Sequence, residues 1–326
     1  MTNMKRKSLL YGASAVFFLL LPFVVRDNYN MHLIIMSMIF IELALGLNLI
    51  VGYVGQLSLG HAAFFGLGAY TSALCNLKLG IPFWEGMFLA GGMAALTGFL
   101  LGYVTLRVRG HCFVLITIAF AEILKLIHFN WVDLTHGQMG LSDIVPPAIR
   151  IPGLIDVAFS TKTQYYYLAL VLVAITVHVN SRLVHSRLGR AFIGIRENET
   201  LAESVGINAF KYSMVAFIVG AFFAGIAGSY YAHYITFISP DLFSFSVTTT
   251  MIVMLVMGGK GTVAGPIVGA VIFTVLPEYL RVAEKLRLPI FGLILLVGIM
   301  YMPQGLIKVW DNILNRLRTR NHVGLT

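Results

Sequence analysis

The chain has 326 residues, of which 58% are apolar and 11% are charged, and its formal net charge is +9 at pH 7. Soluble globular proteins are roughly 45–50% apolar and about 25% charged. This composition, with a mean hydropathy of +0.84, excludes a cytosolic enzyme, a nucleic-acid-binding protein and a disordered tail, and it predicts a protein embedded in a lipid bilayer.

Apolar blocks of transmembrane length follow one another along the chain. Because a membrane-spanning helix needs about 20 mostly apolar residues, we predict an all-α fold, a polytopic membrane helical bundle of about ten transmembrane segments, within a range of about eight to ten. The predicted spans cover residues 8–25, 33–51, 61–77, 83–106, 112–129, 164–180, 212–234, 246–258, 263–280 and 289–302. The eighth is short for a span.

The first block follows three basic residues, Lys5, Arg6 and Lys7, and this order is also typical of a signal peptide. However, no small-residue cleavage site follows the apolar run, which ends at Arg26. We therefore expect an uncleaved signal anchor, and a cleaved signal peptide is the alternative.

Lysine and arginine set the predicted orientation, because cytoplasmic loops of membrane proteins carry an excess of both. A cytoplasmic N-terminus places most of the 23 lysines and arginines on the cytoplasmic side. Both termini are then cytoplasmic and the number of spans is even. Three basic residues, Arg281, Lys285 and Arg287, fall on the other side, so the topology of 246–288 is the least constrained part of this prediction.

A glycine-rich stretch joins the second and third predicted spans. It has glycine at positions 52, 55 and 60 and polar side chains at Gln56, Ser58 and His61. Non-helical backbone at membrane depth occurs only where it is buried in protein or lines a wet cavity, and transporters bind small solutes at such breaks. One interpretation is a broken or re-entrant helix near the bilayer midplane. The other is an ordinary cytoplasmic turn whose polar side chains are solvated or cap a helix.

The longest hydrophilic segment on the predicted cytoplasmic side covers residues 181–210. Within it, Thr200 and Glu203 match a capping box and Gly206 stands where a helix would stop, which predicts a helix of about one to two turns. Two apolar residues four positions apart would share a face of this helix: Leu201 and Val205. Such a helix suits docking into a groove on a partner. The alternative, a solvated connector, explains the charges but not the cap, the stop and the apolar edge together.

Small residues recur at every fourth position in one block, at Gly220, Ala224 and Gly228. Faces of this kind let membrane helices approach each other closely. We favour tight packing within the chain, and a dimer seam is the alternative.

Catalytic and metal-binding motifs are absent from the sequence. The run 258–262 lacks the Ser or Thr that a nucleotide-binding loop needs directly after its lysine, and there is no His-Glu-x-x-His motif. The two cysteines, Cys75 and Cys112, lie in different apolar blocks without paired spacing. An intramembrane hydrolase using Ser58 and His61 is disfavoured because Ser58 lacks the glycine setting of a serine nucleophile. We predict no catalytic residue and no metal site.

Three segments of the sequence together resemble a known family. They are the stretch 46–70, the loop 189–207 and the glycine-rich run 257–270. In this order, and within residues 35–305, they are similar to the branched-chain amino acid ABC transporter permeases, specifically the LivM-type subunit. Each segment alone is moderately specific, whereas three in register are a strong indication.

The resemblance implies a single transmembrane permease domain, 1–326, with a cytoplasmic coupling loop at 181–210. It implies a subunit of a binding-protein-dependent importer that moves branched-chain amino acids across the bacterial inner membrane by alternating access. The implied partners are a second related permease, two cytoplasmic ATPase subunits and a periplasmic substrate-binding protein. ATP would be used only by partner subunits, so the chain itself is expected to be no enzyme and to hold no cofactor.

The resemblance also assigns residues to roles. The residues expected to border the substrate path are Asn48, Gln56, Ser58, Gly60, His61, Phe64 and Tyr70. The residues expected to couple the permease to the ATPase are Arg196, Glu197, Glu199, Thr200, Leu201, Glu203, Val205 and Gly206.

Two alternative functions remain at this stage. The first keeps the importer architecture and changes the substrate to urea, short-chain amides or other amino acids. The second, from another class, is a stand-alone ion-coupled secondary transporter, which would normally show two internal halves of similar length. No such halves are visible in the sequence.

Overall fold

The computed structural model of the protein describes residues 18–25, 27–108, 110–151 and 155–280, with isolated positions between 292 and 307. Its helices, in chain order, are α1 Asn28–Asn48, α2 His61–Leu79, α3 Phe83–Thr105, α4 His111–Asn130, α5 Lys162–His185, α6 Arg187–Glu197, α7 Glu199–Ser204, α8 Ala209–Ile235, α9 Phe245–Gly258 and α10 Ala264–Tyr279. Residues 18–24 are also helical. The single turns are Val132–Thr135, Gly137–Met139 and Pro240–Phe243, and a π-helical turn, Leu49–Val54, extends α1.

The predicted spans between residues 33 and 280 each fall on one of these helices. The helices of the described residues that are long and apolar enough to cross a membrane are Asn28–Val54, Phe83–Thr105, His111–Asn130, Lys162–His185 and Ala209–Ile235. A polytopic membrane helical bundle is therefore confirmed as the architecture. The total of about ten spans stays a prediction, since most of 8–25 and 289–302 lies outside the described residues.

A two-stranded hairpin between α4 and α5 departs from the all-α prediction. Strand β1, Ala148–Ile151, pairs antiparallel with β2, Ile155–Ala158, in a register that sets Ala148 opposite Ala158. Each strand has only four residues, so a sequence read for apolar blocks of transmembrane length gives no signal for it. The hairpin lies in a loop outside the apolar helices.

Helix α8 is central, and it packs against α1, α2 and α3. The packing is close because small residues face each other. A Cβ atom on Gly220 would lie 2.6 Å from the Gly46 carbonyl oxygen, and one on Gly228 would lie 2.1 Å from that of Phe65. The predicted small-residue face of this helix therefore packs within the chain, as we favoured from the sequence.

A chain of hydrogen bonds ties the loop after α4, at its exposed end, to the buried side chains of this core. The Val145 backbone N donates to Asn76 Oδ1 at 3.1 Å, and the Val145 carbonyl oxygen lies 2.6 Å from His233 Nδ1. Because a carbonyl can only accept, Nδ1 carries the proton and Nε2 accepts from the Ser72 hydroxyl at 2.9 Å. Ser229 in turn donates to Ser72 Oγ at 2.7 Å.

Candidate substrate path and coupling element

The break between α1 and α2 predicted from the glycines is present. The π-helical turn ends at Gly55, whose φ of +87° lies in the left-handed region that favours glycine. Residues 55–60 are not helical, and α2 begins at His61. In a π-helix each backbone hydrogen bond joins residues five apart in sequence instead of four. Such turns are rare and are frequently found at functional sites.

Two threonines from other helices hold the start of α2. The Leu59 backbone N donates to Thr117 Oγ1 at 3.2 Å, and the Ala62 backbone N donates to Thr248 Oγ1 at 3.1 Å. Gly60 fits between them because it has no side chain: a Cβ atom there would lie 2.2 Å from the Thr117 carbonyl oxygen. One amide just before α2 and one in its first turn are thus satisfied by α4 and α9 instead of by solvent.

Three polar residues of the break have side-chain atoms that are buried without a hydrogen-bond partner among the described residues. They are Gln56 Oε1, Ser58 Oγ and both ring nitrogens of His61. Ser58 and His61 are completely buried, so the solvated turn considered from the sequence is wrong for these two residues. An unpaired buried polar group costs about 1–3 kcal/mol, and such groups in native proteins usually indicate a bound water, an ion or a functional role.

Aromatic rings enclose the two predicted path residues farther along α2. Phe64 is buried between Phe120 and Phe217, with ring centroids 6.2 and 5.5 Å away. Tyr70 is stacked on Phe243 at 5.7 Å and has no hydrogen-bond partner for its hydroxyl among the described residues. Both side chains therefore belong to a closed, aromatic part of the bundle in this structure.

Asn48 uses both ends of its side-chain amide within the chain. Its Nδ2 donates to the Thr262 carbonyl oxygen at 2.8 Å, and its Oδ1 accepts from the Gly261 backbone N at 3.0 Å. A Cβ atom on Gly52 would lie 1.9 Å from this Oδ1, so the glycine one turn later leaves room for the amide. Asn48 thus fastens the end of α1 to the loop before α10, and we call this pair of hydrogen bonds the Asn48 clamp.

The short helix predicted within 181–210 is present as α7, with a corrected cap. The side chain of Asn198, not of Thr200, caps it by accepting from the Leu201 backbone N at 3.0 Å. The predicted stop is confirmed: Gly206 has a φ of +88°, and Ile207 N donates to the Ala202 carbonyl oxygen at 3.0 Å. The side chain of Asn198 thus accepts from the third amide of the helix, which is ordinary geometry for an N-cap.

The apolar edge formed by Leu201 of α7 and its C-cap residue Val205 faces outward. Leu201 is 63% exposed and Val205 is 70% exposed, whereas Ala202 on the inner face is buried. Thr200 is also exposed. The acidic residues Glu199 and Glu203 line a cleft of about 380 Å³. An outward apolar edge on a hydrophilic loop leaves a surface for a partner.

The preceding helix, α6, joins α7 to the break. Its Phe192 and Ile195 are buried against Leu49, Tyr53 and Val54 of the π-helical turn. Arg196 Nη1 donates to the Gly52 carbonyl oxygen at 2.8 Å, and its Nη2 lies 2.7 Å from Glu197 Oε1. With the Asn48 clamp, this brings the three segments 46–70, 189–207 and 257–270 into contact with one another.

Comparison with known proteins identifies the family of the chain. Residues 30–302 match the family described as the branched-chain amino acid transport system permease component. The chain belongs to this family. The high-affinity branched-chain amino acid transport system permease protein LivM of Salmonella typhimurium is 33% identical over 311 residues, which cover 88% of this chain and 72% of LivM. LivM of Escherichia coli is 32% identical over 306 residues, with the same coverage.

The permease protein LivH of Salmonella typhimurium is also similar, with 24% identity over 286 residues, covering 81% of this chain and 90% of LivH. No solved structure matches the chain. Membership of the permease family and the apolar helices together make this a multi-pass membrane protein.

Sequence reasoning missed the residues of the permease that hold the break from outside. Neither Thr117 nor Thr248 belongs to a recognisable motif. Thr117 carries the one hydroxyl of the apolar helix α4, and Thr248 stands in a run of three threonines at the start of α9. The available signal was their polarity within a span, because a buried hydroxyl there needs a partner. What the sequence could not indicate was which backbone amide each would meet.

Proposed function

We propose that the chain is the membrane-spanning permease subunit of a binding-protein-dependent ABC importer for branched-chain amino acids in the bacterial inner membrane. The observation that carries this proposal is the likeness to LivM along 88% of the chain. The convergence of the three segments at the α1–α2 break adds support. Both termini are proposed to be cytoplasmic, in agreement with the distribution of lysine and arginine.

The importer is proposed to contain a second, LivH-like permease, two cytoplasmic ATPase subunits and a periplasmic substrate-binding protein. The likeness of this chain to LivH supports pairing with a related permease. Helix α4 also supports it, because it buries only Phe113, Thr117 and Ala121 and leaves its other faces open to a neighbouring helix or to lipid. ATP hydrolysis belongs to the partner subunits, so the permease contributes no catalytic residue and no cofactor.

The substrate is proposed to pass beside the break between α1 and α2, near the middle of the bilayer. The unpaired atoms of Ser58 and His61 support this, because alternating access would expose polar groups that are enclosed in one state. Few and weak contacts at this position agree with rapid release, and selectivity then comes from the binding protein.

Coupling is proposed to run through α7, whose exposed Leu201 and Val205 would enter a groove on the ATPase. Binding of ATP would close the ATPase pair and displace α7. The two permeases would then rock against each other and open the path to alternate sides.

The test is uptake of radiolabelled leucine into proteoliposomes that contain the permease pair and ATPases, with the cognate binding protein added from outside. Uptake is expected to require both ATP and the binding protein, and to be reduced by excess isoleucine or valine but not by urea. If urea reduced uptake and isoleucine and valine did not, the chain would belong to the alternative importer, whose substrate is urea. Uptake by the purified chain without ATPases would contradict the importer and favour a secondary transporter.

A further inference from the structure

Arg196, in the last turn of α6, directs its guanidinium at the end of α1. Nη1 donates to the Gly52 carbonyl oxygen at 2.8 Å, while Nε and Nη2 donate to Glu197 Oε1 at 3.2 and 2.7 Å. Every nitrogen of the guanidinium is therefore engaged within the permease. The planar fork of arginine is suited to such divided bonding, in which one side chain holds two acceptors at fixed angles.

The Gly52 carbonyl needs a partner from outside its own helix. It lies in the last turn of Leu49–Val54, and the final carbonyl groups of a helix have no intrahelical donor. A cation at the C-terminal end of a helix also interacts favourably with the helix dipole. Arg196 thus caps the end of α1 from a different helix, 144 residues away in sequence.

Glycines on two segments make room for this side chain. A Cβ atom on Gly55 would lie 2.6 Å from Arg196 Cγ, and one on Gly261 would lie 2.7 Å from Nη1. Both glycines also have positive φ, +87° and +74°, so side chains are disfavoured there for a second reason. Arg196 therefore contacts the break, the loop before α10 and its own helix together.

The path from the exposed edge to this contact is short and well packed. One residue, Asn198, separates α6 from α7, and its side chain caps α7. Phe192 and Ile195 of α6 are 0% and 5% exposed where they pack on the π-helical turn. Because packed interiors deform little, a displacement of α7 reaches α6 as a nearly rigid movement.

We infer that Arg196 is a positioning residue that transmits the displacement of α6 and α7 to the broken helix at Gly52, and that it does not itself bind the ATPase. The inference rests on the proposed function and deepens it by separating two roles within the coupling loop. Leu201 and Val205 bind the ATPase, whereas Arg196 makes the broken helix move together with α6 and α7. Without Arg196, α7 still docks and ATP is still hydrolysed, but the segment 55–60 no longer moves with it.

The test uses the reconstituted complex with the variants Arg196→Gln, which shortens and neutralises the side chain, and Arg196→Ala. The matched control is Arg190→Ala, an exposed arginine on the same helix. Co-purification of the ATPases, ATP hydrolysis stimulated by the loaded binding protein, and leucine uptake are measured. Both Arg196 variants are expected to retain the ATPases and their hydrolysis. Uptake per ATP is expected to fall about tenfold or more, as for loss of a charge-assisted hydrogen bond, whereas Arg190→Ala stays within about twofold.

Unchanged uptake per ATP in the Arg196 variants would overturn the inference. Loss of ATPase co-purification would overturn it as well, because Arg196 would then belong to the partner interface. If Arg196→Ala does not assemble, uptake per ATP is compared in Arg196→Gln and Arg196→Lys instead. The value for Arg196→Lys is expected to lie between those of wild type and Arg196→Gln. A wild-type complex that imports no amino acid would instead contradict the proposed function, and it would do so before any variant is compared.

Discussion

Asn48 Nδ2 donates a hydrogen bond to the Thr262 carbonyl oxygen at 2.8 Å, and this contact spans 214 residues of sequence. Together with the bond that Asn48 Oδ1 accepts from the Gly261 backbone N, it fastens the loop before α10 to the end of α1. The same end of α1 is capped by Arg196. The break between α1 and α2 is therefore fixed from two sides by side chains that sequence proximity would not connect.

Replacing Asn48 by leucine should destabilise the permease. The change keeps the approximate size of the side chain but leaves the Gly261 amide and the Thr262 carbonyl without their partner, at about 1–3 kcal/mol for each unpaired group. The melting temperature in detergent should fall by several degrees. Asn130→Leu is the control, since the Asn130 amide is exposed and bonds only within its own helix. Equal melting temperatures for the two variants would contradict the clamp.

Replacing Ser58 by alanine should separate stability from transport. The Ser58 hydroxyl is buried without a partner among the described residues, so its removal should leave stability unchanged or raise it by about 1 kcal/mol. Leucine uptake should nevertheless fall if this hydroxyl meets the substrate. The contrasting variant is Thr248→Val, whose lost hydroxyl pairs with the Ala62 amide and which should lower the melting temperature. If the Ser58→Ala variant is both stable and fully active, the Ser58 hydroxyl does not contact the substrate.

Replacing Leu201 and Val205 by aspartate should abolish stimulation of ATP hydrolysis by the loaded binding protein. Both residues are mostly exposed, so the permease alone should keep its melting temperature, because surface substitutions usually change stability by about 0.5 kcal/mol or less. The control, Leu201→Met with Val205→Ile, keeps the apolar edge and should keep stimulation. Normal stimulation in the aspartate variant would show that α7 does not dock.

Replacing His233 by leucine should loosen the loop that follows α4. The change leaves the buried Ser72 hydroxyl without its acceptor, at a cost of about 1–3 kcal/mol. It also removes the donor from the part-buried bond to the Val145 carbonyl. Hydrogen exchange at residues 141–147 should accelerate and the melting temperature should fall. His178→Leu, at an exposed position of α5, should change neither. Unaltered exchange in the His233 variant would mean that the other contacts of the loop hold it alone.

Different parts of this molecule were predictable from the sequence to different degrees. The membrane-length helices followed from apolar length, the break between α1 and α2 followed from the glycines at 52, 55 and 60, and the stop at Gly206 followed from glycine at the end of a capped run. Helix α6 was not predicted, because its residues 187–197 lie in the hydrophilic segment from which we expected only a helix of one to two turns. The cap was misplaced by two residues, because Asn198 and Thr200 are both good capping residues and only the backbone path decides between them. Arg196 was assigned to the coupling loop by resemblance. Its hydrogen bond to the Gly52 carbonyl was not predictable, because it depends on how α6 packs against the end of α1.

The π-helical turn has one consequence for the length of the segment that contains it. Each such turn holds one residue more than an α-helical turn, which rotates everything after it by roughly 100° relative to a continuous α-helix. This rotation presents the Gly52 carbonyl to Arg196 while Tyr53 and Val54 pack on α6. Deleting a single residue between Leu49 and Val54 would restore the α-helical register and turn these groups away from their partners. The contact with Arg196 therefore depends on the number of residues in this segment and not only on their identity.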